Sequence, residues 1–183
     1  MAEILPGTLL IADPFLKDPN FMRSVIIICD HQPEGSFGFV ANRPFSYRVG
    51  QLVEQLEHCN FVIHYGGPVQ PDTVHYIHMR PDLLPGGINI GSGIYWGGEL
   101  DALGELLLDG EMKESDIRFY LGYSGWSKGQ LEQEIETRSW ILGEASKNMI
   151  FKQQAEGMWS EALKSLGGEY EQMKNYPIDP QLN

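Results

Sequence analysis

Cysteine is scarce: Cys29 and Cys59 are the only two in 183 residues, and neither sits in a CxxC pair. That excludes a disulfide-rich scaffold and a four-cysteine zinc site, and it suits reduced thiols in a cytoplasmic protein. Basic residues are also few, 13 against 25 acidic ones, for a formal net charge of -12. A field of that sign repels a phosphate backbone unless the bases gather on one face, and here they are scattered, so direct nucleic-acid binding is not expected. No apolar run approaches the roughly 18 residues of a membrane span. The opening Met-Ala-Glu-Ile-Leu-Pro has neither the basic n-region nor the apolar h-region of a signal peptide, so neither export nor membrane insertion is expected and a cytoplasmic location is.

Metal-ligand spacing is missing as well. The neighbours Cys29/His31 and His58/Cys59 stand alone, and His75 and His78 are three apart on an alternating stretch, an offset that sends them to opposite faces of a strand. Neither a metal nor a cofactor is expected. The acidic stretch 99–116 holds seven carboxylates and one base, Lys113, and reads as a solvated helix face and loop.

What the chain does have is an ordinary globular composition, 42% apolar, 11% aromatic and 21% charged. A domain of this length buries roughly 70% of its extended surface and holds together without a staple. Strands are predicted at Leu9–Ala12, Ser24–Asp30, Phe37–Asn42, Phe61–Tyr65, Thr73–Met79, Ile88–Ile90 continuing through Ile94–Trp96, and Ile117–Tyr123. The continuously apolar 25–29 should be covered on both faces. Four helices are marked by apolar stripes: Leu52/Val53/Leu56, Leu100/Leu103/Leu107, Leu131/Ile135 and Trp159/Ala162/Leu163/Leu166. Strands that cluster early, with helices not alternating one for one, indicate an α+β fold with a mixed sheet. Residues 1–168 are expected to form a single domain. Residues 169–183, with Pro177 and Pro180, read as an extended C-terminal tail.

The segment Gly122-Tyr-Ser-Gly-Trp126 places a serine between a predicted strand and helix, as a nucleophile elbow does, but Trp126 stands where the second glycine is required. All five histidines also precede Ser124, so the hydrolase order of nucleophile, acid, histidine cannot be built. A Ser124/Lys128 dyad would leave its lysine at a wet helix start, where nothing depresses its pKa. Ser127 followed by Gln130 is a capping box that starts a helix near Lys128. The amides of that helix start could hold an anion, with Ser124 and the Trp126 indole as further donors. The glycine-rich runs at 66–68 and 86–93 lack the Lys-Ser/Thr of a phosphate loop and read as tight turns. Arg23, beside an apolar strand, needs a partner: a carboxylate such as Glu134, or an anionic ligand gripped by its fork.

These pieces also carry a resemblance. Leu10-Ile-Ala, Asp18-Pro-Asn-Phe with Arg23-Ser-Val, Gly38 with Asn42-Arg43-Pro44, and Gly66-Gly67-Pro68-Val69 stand in order along the chain. They are followed by Gly122-Tyr-Ser-Gly-Trp126 with Gly129-Gln-Leu-Glu132, and by Trp159 before Leu166-Gly167. The series resembles the YqgE/AlgH family over nearly the whole chain, least so at 79–116. The resemblance implies a bacterial cytosolic α+β protein, its mixed sheet curled partly into a small barrel with about four helices around it, and no established catalytic activity. One branch of that family takes its name from a regulatory link to alginate production, which does not transfer here.

The functional expectation is a non-catalytic regulatory or binding module. It would act on a protein partner or a small anionic ligand through a polar pocket where Arg23, Asn42, Arg43, Ser124, Trp126, Gln130 and Glu134 converge. The alternatives are an enzyme on a small anionic substrate, with His31 or Glu134 as acid or base, and a transcriptional regulator.

Overall fold

A computed structural model describes residues 3–178. Among these residues the strands are β1 (Thr8–Ala12), β2 (Val25–Gln32), β3 (Gly35–Val40), β4 (Pro44–Arg48), β5 (Val62–Tyr65), β6 (Val69–His78), β7 (Ile88–Asn89), β8 (Tyr95–Trp96), β9 (Ile117–Ser127) and β10 (Trp140–Glu144). The α-helices are α1 (Leu100–Leu108), α2 (Gln130–Glu136), α3 (Ala155–Leu166) and α4 (Gly168–Met173).

Side-chain alternation along β2 explains the layering. Val25, Ile27 and Cys29 enter one apolar cluster, while Ile26 and Ile28 enter another on the opposite face. The first cluster is roofed by α3 through Met158, Trp159, Ala162 and Leu163. The second is covered by Leu131 and Ile135 of α2 and by Phe21 from the loop before β2. The predicted double coverage of 25–29 is what the structure has. A third cluster, with Ile63, Ile117, Phe119 and Leu103 of α1, fills the other half of the molecule.

One strand joins the two halves. The sheet runs β10-β1-β2-β3-β9-β6-β8-β7, with β4 and β5 branching off it. Along one edge β9 pairs in parallel with β5, Ile63 opposite Phe119 to Tyr65 opposite Leu121, and then antiparallel with β3, Gly38 opposite Ser124 to Gly35 opposite Ser127. The fork needs a close backbone crossing. Gly122 lies at φ +70°, and a Cβ there would sit 2.5 Å from the Gly67 carbonyl oxygen, so the glycines at 66 and 67, expected to make a tight turn, instead let the chain pass close against the β9 backbone.

The α+β class and the mixed sheet stand as expected, but the sheet does not close into a barrel. Its end strands β10 and β7 share no ladder: where β9 changes partner the sheet forks instead of wrapping onto itself. The first predicted helix is instead two 3-10 turns, Val49–Gln51 and Glu54–Leu56, since extended Val53 interrupts them and Gly50 bonds back to the Cys59 carbonyl. The tail reading is corrected over its first part, where residues 168–173 are α4; residues 179–183 lie outside the described range. No helix among the described residues is long and apolar enough to cross a membrane.

Candidate functional site

The residues expected to converge fall into two separate knots, with Ser124 in neither. In the first, the Asn42 side chain receives the Val25 amide at 2.9 Å and donates to the Arg23 carbonyl at 3.0 Å. This holds Arg23 at φ +53°, a left-handed conformation that costs a non-glycine residue energy. The Arg43 guanidinium donates to the carbonyls of Pro19 and Met22. Arg23 does not meet Glu134. Its guanidinium lies 4.7 Å over the Trp159 ring and donates to the Tyr176 carbonyl, so an aromatic face and a C-terminal carbonyl take the place of the carboxylate.

The second knot is centred on Glu134. One of its oxygens accepts the indole N–H groups of Trp126 and Trp140, each at 2.8 Å, and the other accepts the Gln130 amide at 2.9 Å. Gln130 in turn accepts the Ser127 amide, half of the expected capping box. The helix starts at Gln130 because Ser127 is still paired in β9 and Gly129 makes the turn at φ +74°. Ser124 is fully buried and donates to the Gly66 carbonyl at 3.1 Å, pinning the fork of the sheet. Phe21 bridges the knots, packed against Trp126 and Trp140 from the same loop that Arg43 clamps.

Arg23 Nε and Ser24 Oγ at the first knot are buried without a hydrogen-bond partner among the described residues, and another such atom, His64 Nδ1, lies in a cleft elsewhere. A cleft of about 420 Å³ opens between β5, the start of β9 and the start of α3, lined among others by His64, Arg118, Lys152 and Gln154. His64 is 8% exposed and its Nδ1 has no hydrogen-bond partner among the described residues. Burial, and secondarily the nearby Arg118 charge, lower its pKa to about 4. Arg118 is fixed by the carbonyls of Glu114, at 2.9 Å, and Phe151, at 2.6 Å, and no carboxylate pairs with it among the described residues. Helix α3 begins at the same place. Gln154 has the extended backbone of an N-cap residue, yet its side chain does not cap the helix, so the amides of Ala155 and Glu156, two residues that line the cleft, have no partner among the described residues. Lys152, exposed on the five-residue π turn Asn148–Lys152, adds a second permanent cation. Two carboxylates also line the cleft: Glu114, one oxygen of which accepts the Val62 amide at 2.8 Å, and Glu156.

None of these cleft residues was singled out from sequence. His64 reads there as one position of a strand, and Arg118 as the polar position of another; only the β5–β9 pairing and the return of α3 bring them together.

The architecture defines a class: an α+β protein whose forked mixed sheet carries one roofing helix on each face of its apolar strand β2. The AlgH-like family profile matches residues 9–171, and the chain belongs to that family. It is 48% identical over 181 residues to a UPF0301 protein of Chlorobium luteolum, covering 99% of this chain and 96% of the relative. It is 37% identical to a UPF0301 protein of Cytophaga hutchinsonii, over 97% and 98% of the two chains. The solution structure of the AlgH protein from Pseudomonas aeruginosa superposes with a TM-score of 0.72 at 28% identity, covering 97% and 98%. A crystal structure from Corynebacterium diphtheriae reaches a TM-score of 0.79 at 22% identity, over 96% and 94%, a likeness of fold.

Proposed function

We propose that this chain is a binding module for a small anionic ligand, held in the cleft between β5, β9 and α3. The carrying observation is the buried imidazole of His64, whose Nδ1 has no partner among the described residues, beside the uncapped start of α3. A helix start with free amides favours negative charge, and Arg118 and Lys152 add full charges to it. A phosphate or carboxylate oxygen would accept the Ala155 and Glu156 amides, and Arg118 keeps donors free beyond those that fix it. Glu114 and Glu156 select against ligands with charge spread over their whole length, so the anionic group should be compact. In this reading the knots around Asn42 and Glu134 are structural clamps that hold the 18–25 loop and α2, and the regulatory output is carried by ligand occupancy.

Titration with inorganic phosphate, followed by amide and imidazole chemical shifts, tests the reading. Saturable shifts at Ala155 and Glu156 are expected, with His64 protonating at higher pH once phosphate is bound. Lys152→Ala, on an exposed side chain, should weaken phosphate several-fold while leaving the spectrum folded. Phosphate shifts absent from these amides, or unaffected by Lys152→Ala, would overturn the assignment.

A further inference from the structure

At the other end of β9 lies a second concavity, of about 750 Å³, that shares no lining residue with the anion cleft. Four adjacent strands, β3, β9, β6 and β8, contribute the rings of Phe37, Tyr123, His75 and Trp96, and β9 also contributes Trp126. The first four rings close a circuit. Phe37 meets Trp96 at 4.8 Å and Tyr123 at 6.0 Å, and His75 meets Tyr123 at 6.0 Å and Trp96 at 6.4 Å. Three of these four contacts are edge to face, the arrangement aromatic rings prefer.

The charge at its mouth has one sign. Asp30 and Glu34 line it, no lysine or arginine does, and neither carboxylate has a cationic partner among the described residues. Asp30 accepts only the side-chain amide of Gln32, at 3.0 Å. His75 adds an Nε2 with no hydrogen-bond partner.

We infer that this aromatic concavity binds a small primary ammonium ligand with an apolar body, the ammonium group at the Asp30/Glu34 mouth and the body against the Phe37, Tyr123 and Trp96 rings. Ring faces attract a cation within about 6 Å of their centroids, and the two carboxylates supply the countercharge. An anion would meet repulsion from both. A quaternary ammonium would leave the two carboxylates without a donor, whereas a primary one offers three.

The probe is phenethylammonium, with the uncharged phenethyl alcohol as its control, followed through the Trp96 indole and the Tyr123 ring by chemical shift. The amine should saturate, with an affinity roughly tenfold or more above the alcohol's. Asp30→Asn combined with Glu34→Gln, changes outside the apolar core, should remove that preference and leave alcohol binding unchanged. Equal affinity for amine and alcohol, in the native chain, overturns the assignment. So does tighter binding of an oligolysine peptide than of the free amine, which would make the surface a protein-docking site. Because the two concavities share no residue, phosphate binding at α3 neither supports nor weakens this result.

Discussion

Glu134 shows how one side chain can be read correctly for its chemistry and wrongly for its partner. As a carboxylate near an anion-binding helix start it was a candidate acid or base; in the fold it is the shared acceptor of two indoles, Trp126 and Trp140, which are 5% and 4% exposed. Removing the acceptor strands both donors away from water, and each stranded donor costs about 1–3 kcal/mol. Glu134→Ala should therefore destabilise the chain by about 2–4 kcal/mol in urea unfolding, and Glu134→Gln, which keeps a carbonyl in place, by clearly less. A loss under about 1 kcal/mol for the alanine variant would mean that the indoles find other acceptors. At this scale the sequence was informative about residue type, since Arg23, Asn42 and Trp126 all proved to be polar anchors. It was silent on pairing, because Asn42 reaches 19 residues back and Trp159 reaches 147 back to the Ala12 carbonyl.

Elements with a strong apolar pattern were legible, and those defined by pairing alone were not. A continuous apolar run marked β2, alternation marked β6, and the Trp159–Leu166 stripe marked α3. Strand β4 has all five residues exposed and exists only through its ladder with β5, and β10 carries a glycine and is defined by β1. Helix α3 is central to the proposed anion site because its first turn is open. Gln154 has the backbone of an N-cap, φ −67° and ψ 139°, but a side chain too long to return to the N2 or N3 amide. Gln154→Ser should supply that acceptor and stabilise the chain by about 1 kcal/mol. The same hydroxyl would compete with a bound anion, so phosphate affinity should fall while stability rises. Stability and phosphate affinity rising together would show that the α3 amides are not part of the binding surface.

Across the whole molecule, the fold buries His64 and His78 and half-buries His75, and burial lowers the pKa of all three. None of this was visible in the sequence, where the three looked like ordinary strand positions. The consequence is a directed pH dependence. An unfolded histidine takes its proton near pH 6.5, while folded His64 resists it until about pH 4. The stabilising contribution is thus complete above the unfolded value, drains away as pH falls between the two, and declines no further below the folded one. For His64 alone the loss amounts to about 3 kcal/mol, a slope approaching 1.4 kcal/mol per pH unit in the middle of the window. The net charge of -12 shrinks over the same range and relieves self-repulsion, so the wild-type curve by itself mixes two opposing effects. The difference between wild type and His64→Gln separates them: urea unfolding at intervals from pH 7.5 to 4 should show the two stabilities drawing together or crossing as the solution becomes acidic. Saturating phosphate should flatten the wild-type fall, because an anion in the cleft favours the protonated imidazole of the folded state. Parallel curves for the two proteins, with and without phosphate, would mean that the His64 imidazole is not held neutral by the fold.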